Sequence, residues 1–204
     1  VFPLINKQAL FGSAWGLSKL KKDKQPVRAR LDKIFDHLSS FIQGTGLKGL
    51  VYWDRFDVTV RDDCLTFNDR DLTWCFPRLN GRCIVDTARE TGEIVLQVVT
   101  LGQRLQAIYK NFEQDELIAL SYYFHGFTVW LTEALAEYHH GLIHQEFHPD
   151  LSRERYSFGY PLCPELSMQQ DLFDLLQINN SDDISLTDSF MMVPEQSTSA
   201  VILA

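Results

Sequence analysis

The residues best suited to chemistry lie in the stretch 153–177, RERYSFGYPLCPELSMQQDLFDLLQ. Two prolines, a cysteine and a Gly-Tyr pair separate a charged segment from an amphipathic run there. Arg155 is permanently charged and can hold a carboxylate through two parallel hydrogen bonds. Gly159 lets the backbone approach a ligand with no side chain in the way. Tyr160 supplies a flat face and a hydroxyl beside the rigid Pro161. Together these parts suit a zwitterionic or cationic small molecule with an aromatic base. A plainer reading stands beside this one, in which Arg155 caps a helix end and Gly159-Tyr160-Pro161 is a turn.

A second set of chemical groups, Glu133, Glu137, His140 and His144, recurs at i+4, i+7 and i+11 and would share one helix face. Taken alone, that face reads as solvated. His140 and His144 are spaced as helical metal ligands often are, but HHGLIH lacks the Glu directly after the first His that would act as general base, and no metal site is expected. There is no G-x-S-x-G, and Cys163 sits between Leu162 and Pro164, a setting for burial more than activation. No glycine-rich phosphate loop occurs. Chemistry carried wholly by protein side chains is therefore not expected.

The elements that must position these groups follow from periodicity. Val27, Leu31, Ile34, Leu38 and Phe41 recur at helical spacing, with Pro26 in the first turn and Gly44 and Gly46 as a stop. LKGLVYWDRFDVTV and DCLTF are rich in β-branched and aromatic residues and read as strands, as do GRCIVDTA and GEIVLQVVTLG, with RETGE as the turn between the last two. A long helix is expected near 115–147, with Leu117, Leu120, Phe124, Phe127, Leu131, Leu135, Tyr138 and Leu142 on its core stripe. SMQQDLFDLLQI reads as a short helix capped by the Ser167 hydroxyl. The closing SAVILA reads as a strand, and the opening PLINKQALFGSAWGL as an extended arm or short helix. The whole is one α+β domain.

With 204 residues the chain can bury a sizeable core. A net charge of −8 argues against nucleic acid as the main partner, because phosphate binding needs a basic field. The basic run KLKKDKQPVRAR reads as a solvated loop, with a docking patch for an acidic protein as the alternative. No apolar run approaches the roughly 20 residues needed to span a bilayer. Cys64, Cys75, Cys83 and Cys163 show no C-x-x-C spacing, so reduced thiols in a cytoplasmic protein are expected. The opening Val1 and the abrupt Ala204 suggest a piece of something longer.

Beyond composition, RYSFGYPLCPE closely resembles the R-x-x-x-G-Y-P-x-C-P signature of the reactivation domain of cobalamin-dependent methionine synthases. Other stretches follow in that family's order: INKQALFGSAWG, CFPR, LQVVTLG, HGFTVWLTEALAEYHH and LTDSFMMVPEQSTSA. The resemblance covers residues 4 to 204, and so treats 1–204 as a single domain. It implies a C-shaped α+β body with a twisted antiparallel sheet flanked by helices. It also implies binding of S-adenosylmethionine, whose methyl group is presented to a cobalamin carried by a neighbouring domain. One electron from a flavodoxin or equivalent reductase, with methyl transfer from S-adenosylmethionine, would return oxidised cofactor to methylcobalamin.

Residue by residue, the resemblance makes Arg155 the holder of the ligand's carboxylate. It gives Ser157 and Gly159 backbone contacts, turns Tyr160 toward the corrin, and makes Glu133 a ligand-contacting carboxylate. Asn6 falls where relatives carry Asp near the ligand's ammonium, and a neutral amide there weakens binding by on the order of 1 kcal/mol. The middle of the chain is shorter than in the long synthases, so the rim that meets the reductase is expected to differ. The chain also stops where the family continues through another strand and helix. Two other classes stay open: a docking module that kept the fold and lost the ligand, and a reactivator of a different corrinoid methyltransferase.

Overall fold

The computed structural model describes the chain except residues 21–23, 148, 150–153 and 204. Part of the basic run, and the start of the chemically rich loop, therefore lie outside the described residues.

The N-terminal arm winds through short helical turns, among them α1 (Lys7–Ala9), before α2 (Gln25–Thr45). Helix α2 has Pro26 in its first turn and Gly46 as its left-handed cap at φ 64°, as its sequence predicts. Strands β1 (Leu50–Arg61), β2 (Cys64–Phe67) and β3 (Thr73–Cys75) form a meander, followed by α3 (Val85–Thr91) and β4 (Glu93–Thr100). Two helices come next, α4 (Arg104–Gln114) and the long α5 (Ile118–Phe147), then β5 (Glu154–Ser157) and α6 (Met168–Leu175). A small hairpin of β6 (Ser185–Leu186) and β7 (Met192–Val193) leads into β8 (Ser197–Leu203). The main sheet runs β3-β2-β1-β4-β8-β5, every pair antiparallel. The α+β class and the antiparallel sheet flanked by helices match the expectation.

Helix α5 is the central beam. On one side it meets the sheet, where Ile143 packs with Val95 and Ile202. On the other, Phe124, Phe127, Leu131 and Ala134 pack with α2, α4 and the arm, against Leu10, Phe11, Trp15, Leu31 and Phe35 among others. The opposite face of the sheet is closed by α3 and α6 through Val85, Ala88, Leu172 and Phe173 against Leu96, Val98 and Val201. A helix covered on two sides carries apolar residues around much of its circumference and has no single stripe. The expected core stripe is accordingly only part right: Phe124, Phe127 and Leu131 are buried, whereas Leu120, Tyr138 and Leu142 are exposed and Leu117 precedes the helix. The polar face divides too, with His140 buried, Glu133 and His144 half-buried and Glu137 exposed.

Other expectations are corrected. GRCIVDTA contains the start of helix α3, not a strand: Val85 and Ala88 bury one helical turn apart, and Gly92 at φ 72° ends the helix. Tertiary burial there overrides the strand preference of Ile84 and Val85. Helix α4 was not expected at all. Ser167 occupies the cap position of α6, but its side chain makes no cap hydrogen bond. Cys64 and Cys75 are not reduced thiols: they face each other across β2 and β3, 4.0 Å apart at Cα, and form a disulfide. That pairing depends on β3, a short strand that no periodicity in the sequence predicts. Among the described residues, no helix is long and apolar enough to cross a membrane.

The arm is fixed to α5 by Trp15, whose ring stacks on Phe11, meets Tyr123 edge-on, and donates its indole N–H to the Tyr123 carbonyl at 3.1 Å. Gly126 makes the approach possible, since a Cβ there would lie 2.9 Å from Trp15 Nε1. Trp15→Ala is expected to cost about 3–5 kcal/mol in chemical denaturation and to expose the arm to limited proteolysis. An unchanged unfolding midpoint would show that the arm is not part of the cooperative fold.

Candidate functional site

The site is built where the edge of the sheet meets α5. Strand β5 pairs with β8 and forms one border of the main sheet, in register Arg155↔Ile202 and Ser157↔Ala200. An edge strand turns unpaired backbone N–H and C=O groups outward, which leaves the backbone around Ser157 open to a ligand. The chain then turns sharply: Gly159 N–H donates to the Cys163 carbonyl at 2.8 Å, and Cys163 N–H donates to the Tyr160 carbonyl at 2.8 Å. Gly159 sits at φ +83°, a conformation that side-chain-bearing residues rarely adopt, and a Cβ there would come 3.1 Å from Leu166 Cδ2. Its first task is thus to make the turn. Tyr160 projects from the tip, 66% exposed.

Two cavities flank this turn and share Ser157 and Tyr160 as a common wall. The larger, about 550 Å³, is lined by Arg155, Tyr156, Leu162 and Cys163 and, from the loop after β3, by Leu79, Asn80 and Arg82. The smaller, about 220 Å³, lies between Glu133 of α5, Thr198 and its neighbours on β8, and Met191, Met192 and Glu195. Arg78 anchors the loop of the larger cavity, donating to Asp63, to Asp86 and to the Gly81 carbonyl. Its hydrogen bond, with help from the Cys83 N–H, holds the Asp86 carboxyl down at about 2.

Arg155 bridges the walls. Its side chain is only 13% exposed, and it donates from Nε to Gln97 Oε1 at 3.3 Å, from one terminal nitrogen to Glu133 Oε2 at 3.3 Å, and from the other to Thr198 Oγ1 at 2.9 Å. A guanidinium has a second N–H on each terminal nitrogen, so one donor on each remains for a guest. The structure therefore brings Glu133, Arg155, Ser157 and Tyr160 together, with Gly159 shaping the turn. Asn6 stands apart: it is exposed, its side-chain oxygen accepts from Ala9 N–H at 3.0 Å, and it lines neither cavity.

Sequence reasoning missed Gln97 and Thr198. Gln97 had a signal, since it is the one amide inside the apolar run IVLQVV, and a buried polar residue needs partners. Thr198 had none, because its role depends on strand pairing. Burial raises the Tyr156 hydroxyl to about 12, with the Glu154 carboxylate adding to the effect, and burial alone raises the Cys163 thiol to about 12. Cys163 is thus inert rather than nucleophilic. Among the described residues, no three His, Cys, Asp or Glu side chains gather to hold a metal ion.

Comparisons with known proteins bear on the family and the fold. Residues 82–204 match the family model described as vitamin B12 dependent methionine synthase, activation domain. The chain is 27% identical to a methionine synthase of Mycobacterium leprae over 251 aligned positions, covering 98% of this chain and 20% of that protein. It is 29% identical over 253 positions to the methionine synthase of Mycobacterium tuberculosis, covering 98% and 21%. The chain thus spans about a fifth of the length of these relatives. Among solved structures it resembles the MetH reactivation domain bound to AdoHcy, with a TM-score of 0.81 at 17% identity over 99% of this chain and 74% of that one. At that identity the likeness speaks for the fold.

Two outcomes check the turn. Gly159→Ala is expected to destabilise the protein by about 1–2 kcal/mol from the left-handed backbone alone, read from the denaturant midpoint. Cys163 is expected to resist alkylation at pH 8 in the folded protein and to react once it is unfolded. Rapid labelling of Cys163 in the native state would contradict its burial.

Proposed function

The chain belongs to the family of vitamin B12 dependent methionine synthase activation domains, and on that footing we propose that it binds S-adenosylmethionine and presents the methyl group to a cobalamin carried by another domain of a methionine synthase. The observation that carries the reading is Arg155: a nearly buried cation in a cavity wall, held on three sides, with one N–H on each terminal nitrogen still to offer. That arrangement suits a carboxylate held by two parallel bonds.

The remaining residues suit the rest of such a ligand. Glu133 lines the smaller cavity and offers negative charge to an ammonium or sulfonium. Ser157 offers backbone groups at the sheet edge, where the edge of a purine can be read, while Gly159, its N–H spent on the turn, retains only its carbonyl. Tyr160 gives an aromatic face that attracts a cationic sulfur. Asn6 is left out of this ligand set: it lines neither cavity, and its side-chain oxygen already accepts from Ala9 N–H.

For the partner's cofactor, the fit lies at the rim. Leu79, Tyr160 and Met191 are exposed around the two cavities and form an apolar border on which a flat macrocycle can rest. The nucleophile comes from the cobalamin, which the partner domain holds. This chain contributes orientation, keeping the methyl group on a line to the metal and excluding water behind it. No protein acid or base is required of this chain in that role. A flavodoxin or equivalent reductase would supply the electron.

Arg155 already paired with Glu133 also suits a second reading, a docking module that retains the fold without the ligand. Calorimetric titration separates the two. The wild-type chain is expected to bind S-adenosylmethionine, and Arg155→Ala to bind it roughly 10- to 100-fold more weakly, the worth of one charged hydrogen-bonding group. No binding by the wild type, or equal binding by the variant, would refute the ligand reading. In an assembled synthase, Tyr160→Ala is expected to slow reductive methylation more than it weakens ligand affinity; an unaltered rate removes the corrin-facing role.

A further inference from the structure

We propose that Gln97 is a positioning residue that sets the plane of the Arg155 guanidinium, and that it determines how well the site discriminates ligands bearing a carboxylate. The inference rests on the reading of Arg155 as the carboxylate holder.

Gln97 lies in the middle of β4 with no exposed surface. A carboxamide there is destabilising unless each of its polar atoms is matched. All are matched, and the matching leaves a single orientation. Arg155 Nε can only donate, so the atom facing it at 3.3 Å must be the amide oxygen. The amide nitrogen then faces the Ala136 carbonyl at 3.3 Å, which can only accept, and His139 Nδ1 at 2.9 Å. Turning the amide over would set N–H against N–H at Arg155 and oxygen against oxygen at Ala136. Chemistry at both ends thus fixes the orientation.

His139 completes the relay. To accept from Gln97 it must carry its proton on Nε2. Its ring lies against Trp53, with centroids 5.3 Å apart, and burial lowers its pKa, favouring the neutral form this bond needs. The chain of contacts runs from Trp53 and His139, through Gln97, to Nε of Arg155.

Fixing Nε has a directional consequence. The guanidinium is planar, so once Nε faces Gln97 and a terminal nitrogen faces Thr198, its plane is set. The directions of its two remaining N–H groups are then fixed as well. An arginine without that support would have to order its long side chain at the moment of binding, which weakens affinity. The effect falls only on the contact Arg155 makes. Gln97 touches no other part of the proposed ligand, since it lines neither cavity.

The test pairs S-adenosylmethionine with its decarboxylated form, titrated by calorimetry into the 204-residue chain. Gln97→Met keeps the volume and removes the acceptor. It is expected to weaken S-adenosylmethionine about ten-fold while leaving the decarboxylated analogue bound as by the wild type. His139→Phe, which removes the acceptor that holds the Gln97 amide and lines neither cavity, is expected to give the same selective loss and serves if Gln97→Met fails to fold. Equal affinity of variant and wild type for S-adenosylmethionine overturns the proposal, as does an equal loss for both ligands, which would mark a merely structural role. Arg155→Ala distinguishes the levels. If it loses S-adenosylmethionine while Gln97→Met and His139→Phe do not, positioning alone fails. If it loses nothing, the carboxylate reading fails and takes this proposal with it.

Discussion

A cation taken out of water at the border of a sheet organises this molecule's working face. Arg155 is attached to β5, but its partners come from β4, β8 and α5. Removing any one would leave a nearly buried charge short of an acceptor, a heavier loss than forfeiting a surface ion pair. The pairing with Glu133 is asymmetric in exposure, the arginine deep and the carboxylate half in solvent. Water therefore moderates the ion pair from one side only. The guanidinium is held by three elements and keeps only 13% of its side chain open to solvent.

The surroundings of that group contain little chemistry, and this is consistent with the proposed role. Cys163 is pushed out of its reactive range by burial, and the Tyr156 hydroxyl is held in its protonated form. What the site supplies is placement: a rigid turn set by Gly159, an aromatic tip, and a carboxylate across a narrow cavity. Reactions whose nucleophile and leaving group both arrive with bound cofactors need orientation above all. A scaffold for that purpose can be slow to evolve side-chain catalysis without losing rate.

Much of the architecture was legible because its periodicities are strong. Strands β1, β2, β4 and β8 and helices α2 and α6 lie where apolar spacing and turn residues put them. The misreadings share a cause. Helix α3 has β-branched residues whose local preference is overruled by packing on the sheet, and α5 lost its expected stripe because it is covered from two sides. The disulfide was invisible because Cys64 and Cys75 become neighbours only once β3 pairs. At the site, the motif around Arg155 and Tyr160 announced itself by composition. Gln97 and Thr198 belong to strands distant in sequence, and only the fold brings them to the guanidinium.

The order of strands also bears on how the protein is made. Strand β8 is the last element along the chain, yet it lies between β4 and β5 inside the sheet. A ribosome delivers β4 and β5 first; β4 can pair with β1 at once, but β5 has no partner in the sheet until β8 has emerged. Until then β5 is unpaired and Arg155 lacks its Thr198 partner, so the working face is expected to form only once β8 has been translated. Long-range pairing of this kind is slow, and the exposed borders of β4 and β5 during that wait are natural places for a chaperone to bind.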